Sequence, residues 1–296
     1  MKIIFFGTFQ YAVPALERLI KAGYEIVAVV TNPDSFQGRK KELVASPVKL
    51  AAQQYGLTVF QPPSLKIGKL ENYLEIENFK LKIKSADLGI VVAYSKIIPK
   101  EILGLFPKGV LNIHPSLLPL YRGPPPIQSA ILNGEKETGV TIMQIDEEVD
   151  HGAILSQAKY VIPPEALHPQ IAMEIFQLGA ELLIKTIPDW LAGKIIPQPQ
   201  EHTCATFTKK FSWENGRIDW NQPAEKIYNQ IRALNPEPGT WTTWKRGFQV
   251  KILKILKAEI GEDGKVLPQE VQPEGKKAMP FQDFLRGVGQ KELDFK

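Results

Sequence analysis

The sequence predicts a mixed α/β protein: a doubly wound domain over residues 1–192, a linker over 193–205 and a small β-rich domain over 206–296. Three observations carry that reading. Short apolar runs alternate with helix-period segments through the first part of the chain, the pattern of a parallel sheet with crossover helices. The alternation stops between Gly193 and Ala205, where KIIPQPQEHTCA has no period and two prolines. Beyond it, apolar runs gather around a Lys-Arg-Gly turn, as in a small β domain.

Lys2–Phe6 (KIIFF) reads as the first buried strand, Tyr11–Lys21 as a helix and Tyr24–Val30 (YEIVAVV) as the second strand. Ser46–Tyr55 reads as a helix in which Pro47 suits the first turn, where a missing N–H costs no helical bond. Leu57–Phe60, Ala86–Ala93 and Gly109–Ile113 continue the strands. Pro124–Asn133 is a helix opened by prolines and closed by Gly134; Val140–Met143 and Ala153–Ile162 are strands. Gln170–Ala192 is a long amphipathic helix. After the linker come a helix at Pro223–Leu234, strands at Trp241–Trp244 and Phe248–Ala258, and a helix at Pro280–Leu285.

With 296 residues the chain can bury a substantial core. Its 44% hydrophobic and 23% charged residues exclude global disorder. A formal charge of +4 permits a polyanionic partner without arguing for one. Cys204 is the single cysteine, which excludes an internal disulfide and any C-x-x-C zinc pattern. MKIIFFGTF lacks a cleavage-site pattern, and no apolar run approaches the roughly 18 residues a membrane helix needs. We therefore expect a cytoplasmic protein with no membrane partner.

The first strand-to-helix turn, Gly7-Thr8-Phe9-Gln10, is not the G-x-G-x-x-G of a Rossmann dinucleotide site, and neither a P-loop nor H-E-x-x-H is present. No metal centre is expected. Attention falls instead on Asn112 and His114 at the end of GVLNI. Two residues apart on a strand, they face one side, at the carboxyl end where open α/β sheets bind ligands. Asp150, in EEVDHG, follows a strand able to lie alongside. An amide that donates to a developing oxyanion, an imidazole that exchanges protons near neutrality and a carboxylate that orients it form a set for acyl transfer without a protein nucleophile. The competing reading has Asn112 and His114 satisfying loop backbone groups and Asp150 capping a turn. Ser116 lacks the G-x-S-x-G elbow of a nucleophile and is read as holding its loop. His151, His168 and His202 are read as structural or solvated.

The run Gln37-Gly38-Arg39-Lys40-Lys41 is by itself a solvated loop, and beside a crevice it becomes a contact for phosphates. Lys209, Lys210, Lys245, Arg246, Lys251, Lys254 and Lys257 add charge to the second domain, although positions 251, 254 and 257 do not share one side of a strand. Trp244 and Phe248 suit either base stacking or a domain core.

Residues 112–152, NIHPSLLPLYRG through EEVDHG, resemble the folate-dependent formyltransferases, whose signature runs N-x-H-x-S-L-L-P, R-G, T-G-V-T and D-x-G. The matching positions are Asn112, His114, Ser116-Leu117-Leu118-Pro119, Arg122-Gly123, Thr138 to Thr141 and Asp150-x-Gly152. Asn32-Pro33-Asp34, Gly38-Arg39-Lys40, Ser46-Pro47-Val48-Lys49, Val92-Ala93-Tyr94, Ile231 to Pro236 and Gly275 to Met279 are similar to the branch that acts on initiator methionyl-tRNA. Three positions depart from the family pattern. Ser95 follows Tyr94 where a glycine is usual, Asn235-Pro236-Glu237-Pro238 replaces N-P-W-P, and a short run joins Ala258 to Gly275.

The resemblance implies a Rossmann-like catalytic domain and an OB-like, abbreviated C-terminal domain that grips tRNA. It implies 10-formyltetrahydrofolate as co-substrate, initiator methionyl-tRNA as acceptor and a monomeric enzyme. Carried over by position, Asn112 would stabilise the tetrahedral oxyanion, His114 would assist proton transfer and Asp150 would orient it and help relay protons. Ser116, Leu117, Leu118 and Pro119 would line the folate site, and Arg39, Lys40 and Lys41 would meet the tRNA acceptor stem. Two alternatives stay open at this level: an amino-sugar nucleotide as acceptor, and a non-catalytic folate- or RNA-binding protein.

Overall fold

The computed structural model describes residues 1–37, 42–70, 76–246 and 249–289. In chain order the elements are β1 (Lys2–Gly7), α1 (Val13–Lys21), β2 (Glu25–Val30), β3 (Ser35–Gln37), β4 (Glu42–Val44), α2 (Pro47–Gln54), β5 (Val59–Phe60), α3 (Ile67–Leu70) and α4 (Ile76–Lys84). They continue with β6 (Leu88–Val92), α5 (Lys100–Leu103), β7 (Val110–His114), α6 (Pro126–Leu132), β8 (Glu137–Gln144), β9 (Ile154–Val161) and α7 (His168–Leu191). The remainder is α8 (Ala224–Leu234), β10 (Trp241–Arg246), β11 (Gln249–Ile260), β12 (Val266–Pro273), β13 (Met279–Pro280) and α9 (Phe281–Val288).

The chain divides into two compact units: residues 1–122, 139–160 and 173–206 in one, and 123–138, 161–172 and 207 onward in the other. The first holds a sheet of order β5-β2-β1-β6-β7-β8-β9. Pairing is parallel from β5 through β7, where the apolar runs of the sequence become largely buried strands. It turns antiparallel at β8, which places Thr141 opposite His114 and Met143 opposite Asn112. The antiparallel register ends β8 beside the start of β7, where the Ile145 N–H donates to the Val110 carbonyl at 2.8 Å, and the loop that follows brings Asp150 back to His114. A core of Ile4, Phe6, Val30, Phe79, Ile83 and Val91 packs against the sheet.

Several expected boundaries move by a residue or two. His114 falls inside β7 rather than after it. The first helix opens as a 3₁₀ turn at Gln10–Ala12 before α1. Helix α2 begins at Pro47, one residue later than expected, because Ser46 serves as its cap, its hydroxyl accepting from the Lys49 N–H at 3.1 Å. The basic run proves to be flanked by a two-stranded hairpin, β3 with β4, while Gly38, Arg39, Lys40 and Lys41 lie outside the described residues.

In the second unit, β10, β11, β12 and β13 form an antiparallel sheet that buries Trp244, Leu253, Ile255 and Val271 against Ile227 and Ile231 of α8 and Phe284 of α9. Trp244 meets the Phe284 ring edge-on at 4.9 Å, so of the two readings of this tryptophan the structure selects the core. The short run after Ala258 turns out to hold the β11–β12 hairpin. Lys254 lies over the Trp213 ring at 5.1 Å and Lys257 pairs with Glu270 at 3.4 Å.

Candidate active site

His114 ends β7 with only 5% of its surface exposed. Its Nε2 lies 3.0 Å from the Tyr121 carbonyl and its Nδ1 3.4 Å from Asp150 Oδ1. A carbonyl can only accept, so Nε2 carries a proton and Nδ1 is the nitrogen turned toward the carboxylate. In the neutral ring Nδ1 and the carboxylate are both acceptors, which accords with their 3.4 Å separation, and a proton taken up between them makes the hydrogen bond. Asn112, two residues earlier and half-buried, has no side-chain hydrogen bond among the described residues. Its amide thus remains uncommitted, which argues against the view that it merely satisfies loop backbone.

Asp150 sits in a turn whose backbone is forced. Its φ is +51°, in the left-handed region that aspartate tolerates better than most residues. Two residues on, a Cβ at Gly152 would stand 1.9 Å from the Gln144 carbonyl oxygen, so only glycine lets the chain pass β8 there. The spacing D-x-G therefore has a steric cause. Gln200 donates its amide N–H groups to the carbonyls of Asp150 (2.9 Å) and Gly152 (2.7 Å). Its Oε1 accepts from Arg122 Nε (3.0 Å) and Nη2 (2.6 Å). His151 donates through Nδ1 to Asp146 at 2.6 Å and stacks on His202, whose Nδ1 accepts from Arg122 at 2.8 Å.

The loop after β7 is pinned from both sides. Ser116, fully buried, donates its hydroxyl to the Leu120 carbonyl at 2.7 Å, the loop-holding part expected of it. Thr141 of β8 donates to the Ser116 carbonyl (2.7 Å) and accepts from the Leu118 N–H (3.2 Å), while Gln157 donates to the Leu118 carbonyl (2.9 Å). Leu118 is buried, whereas Leu117 and Pro119 are half-buried. Gly139 on β8 makes room for Leu117, since a Cβ there would lie 2.5 Å from its methyl carbon.

The ends of β1, β2 and β6 meet at the same edge. Ser95, the departure from the family pattern, accepts from the Asn32 amide at 2.8 Å and ties the β2 and β6 ends together. Asp34 holds Lys49 at 2.7 Å and accepts from Gln61 at 2.8 Å; these contacts hold its carboxyl below the usual range. Thr8 Oγ1, Asn32 Oδ1 and the Tyr94 hydroxyl are buried with no hydrogen-bond partner among the described residues. Burial also pushes the Tyr94 phenol up, so it stays a neutral donor.

The structure brings Asn112, His114 and Asp150 together, with Ser116 to Pro119 on the adjoining loop. Residues Gln200 and Arg122, which buttress the Asp150 turn, were not singled out for that task by the sequence. Gln200 sits in a segment without period, and only Arg122 carried a signal, as part of the R-G motif. An amide, an imidazole and a carboxylate at the ends of parallel-rich strands describe a group-transfer enzyme of the α/β class.

Comparison with known proteins narrows this. Residues 1–187 match the family described as formyl transferase, and residues 210–265 match the formyl transferase C-terminal domain. The methionyl-tRNA formyltransferase of Chloroflexus aurantiacus is 42% identical across 97% of this chain and 97% of its own length. That of Dictyoglomus turgidum is 41% identical over 97% and 96%. The chain belongs to the formyl transferase family, in its methionyl-tRNA formyltransferase branch.

Among solved structures, a methionyl-tRNA formyltransferase from Clostridium thermocellum shares the fold with a TM-score of 0.60 at 23% identity, over 92% of this chain and 98% of that one. An N-formyltransferase from Helicobacter canadensis, in complex with folinic acid and dTDP-3-aminofucose, shares it at 0.67 and 21%, over 95% and 98%.

Proposed function

We infer that this chain transfers the formyl group of 10-formyltetrahydrofolate to the α-amino group of methionine esterified to initiator tRNA. The observation that carries the reading is full-length similarity at 42% to a methionyl-tRNA formyltransferase, in a chain that keeps Asn112, His114 and Asp150 at one strand edge.

In this reading the amino nitrogen attacks the formyl carbon, a tetrahedral oxyanion forms, and the bond from carbon to folate N10 breaks as N10 takes up a proton. The uncommitted Asn112 amide donates to the oxyanion, a type of contact whose removal costs about 2.7–4 kcal/mol of barrier. His114 is held by the Tyr121 carbonyl on one side, so its Nδ1 and Asp150 handle the proton that leaves the amine. Leu117 and Pro119, with the buried Ser116 and Leu118 behind them, wall the folate site. The tRNA acceptor stem meets Arg39, Lys40 and Lys41, while residues 206–296 hold the body of the tRNA and residues 1–192 do the chemistry, joined by 193–205.

We read the protein as a monomer of 33.2 kDa acting in the cytoplasm; no described helix is long and apolar enough to cross a membrane. The test is acceptor preference. Charged initiator tRNA and a free amino-sugar nucleotide are offered with the folate donor at equal concentration. Formyl label on the tRNA supports the reading, and label on the sugar alone rejects it.

A further inference from the structure

Gln200 lies between the two regions that the family descriptions cover, yet it is among the most completely used side chains of the first unit. It is 5% exposed, and all four of its amide contacts are made: two N–H donations to the carbonyls of Asp150 and Gly152, two acceptances from Arg122. Arg122, 4% exposed, can only donate. It therefore fixes which end of the amide faces the turn, and the N–H end must point at Asp150. The third contact of the guanidinium, to His202 Nδ1, anchors it in turn, and His202 stacks on the His151 that follows Asp150.

The turn so held is one that resists its own conformation. Asp150 has a positive φ and Gly152 passes within contact of the β8 backbone. Without the two N–H donors, the Asp150 and Gly152 carbonyls lose the bonds to Gln200, and the turn is less firmly held against relaxation toward ordinary φ. That relaxation would swing the carboxylate, now 3.4 Å from His114 Nδ1, away from the ring.

We propose that Gln200, oriented by Arg122, is a positioning residue for the reaction: it acts through the backbone of Asp150 and Gly152 to set the carboxylate against His114. The inference rests on the reading of Asp150 as a member of the reacting set.

The test is single-turnover formylation of charged initiator tRNA by the full chain, its Asp150→Asn and Gln200→Met variants, and the two combined. Gln200→Met keeps the side-chain volume and removes both donors. The expected result is a rate constant about 30–100-fold below native, the order of loss a misplacement near 1 Å brings. Half-saturation by folate and tRNA should move less than about threefold, which separates lost positioning from lost binding. In the double variant the rate should lie within about threefold of Asp150→Asn alone, since a residue that works through Asp150 has nothing left to position.

A Gln200→Met rate near native beside a slow Asp150→Asn overturns the inference and leaves Asp150 standing. Losses that multiply in the double variant overturn it as well, because Gln200 then acts by another route. A native-like Asp150→Asn rejects the underlying reading together with the inference. Should Gln200→Met fail to fold, Gln200→Glu keeps the acceptors facing Arg122 and lacks the N–H groups, and the same rate thresholds decide.

Discussion

Single side chains here carry consequences that their neighbours settle. The burial of His114 between a carbonyl and a carboxylate turns a residue common in loops into one with a defined working nitrogen. His168 shows the opposite case. Its Nδ1 is buried without a partner among the described residues, and burial lowers its pKa to about 4 from an ordinary 6.5. Below pH 6.5 the unfolded chain takes up a proton there that the folded chain refuses until about pH 4, so stability falls as pH drops through that window. Between pH 7 and 5 this residue should cost up to about 2 kcal/mol. Urea unfolding of native chain and His168→Gln at both pH values checks it. The variant should lose less stability on acidification, and equal losses would remove His168 as a cause.

The elements explain why the site residues meet at all. Strand β8 runs against β7 and ends beside its start, so the return of Asp150 to His114 falls to the loop after β8, and Gly152 is the point at which that loop must pass the Gln144 carbonyl. Gly152→Ala forces a methyl into that carbonyl and should destabilise the folded chain by about 2–4 kcal/mol, in the range of severe backbone clashes. Denaturant midpoints would register the loss, and an unchanged midpoint would mean the turn can rebuild.

Strands β1, β2, β6 and β7 were legible because largely buried parallel strands read as continuous apolar runs. Asn112, His114 and Asp150 were legible as a set because a strand end and a following turn point to a crevice. Other parts were not. Helix α4 has a weak apolar face of Phe79 and Ile83 among lysines, and β12 carries two prolines that mask its alternation. Gln200 could not be found, because its role comes from long-range bonds to Asp150, Gly152 and Arg122, and no local period encodes those.

At the scale of the molecule, the modest charge of +4 means that affinity for a polyanion depends on where the cations stand. Lys254 lies over Trp213 and Lys257 pairs with Glu270, and the proposed acceptor-stem contacts are Arg39, Lys40 and Lys41. Replacing these three by alanine should weaken tRNA binding and flatten its dependence on log salt by about 2–3, near one counterion per lost contact. Filter binding across a salt series measures the slope, and an unaltered slope would place the contacts elsewhere.

The most direct test of formyl transfer at His114 is single-turnover formylation of charged initiator methionyl-tRNA with 10-formyltetrahydrofolate, native chain against His114→Ala. The native chain should give formylmethionyl-tRNA rapidly and the variant at a rate at least about 10²-fold lower, the loss expected for a proton-transfer group. Equal rates from both proteins would contradict the site, and charged tRNA left unchanged by the native chain would contradict the function.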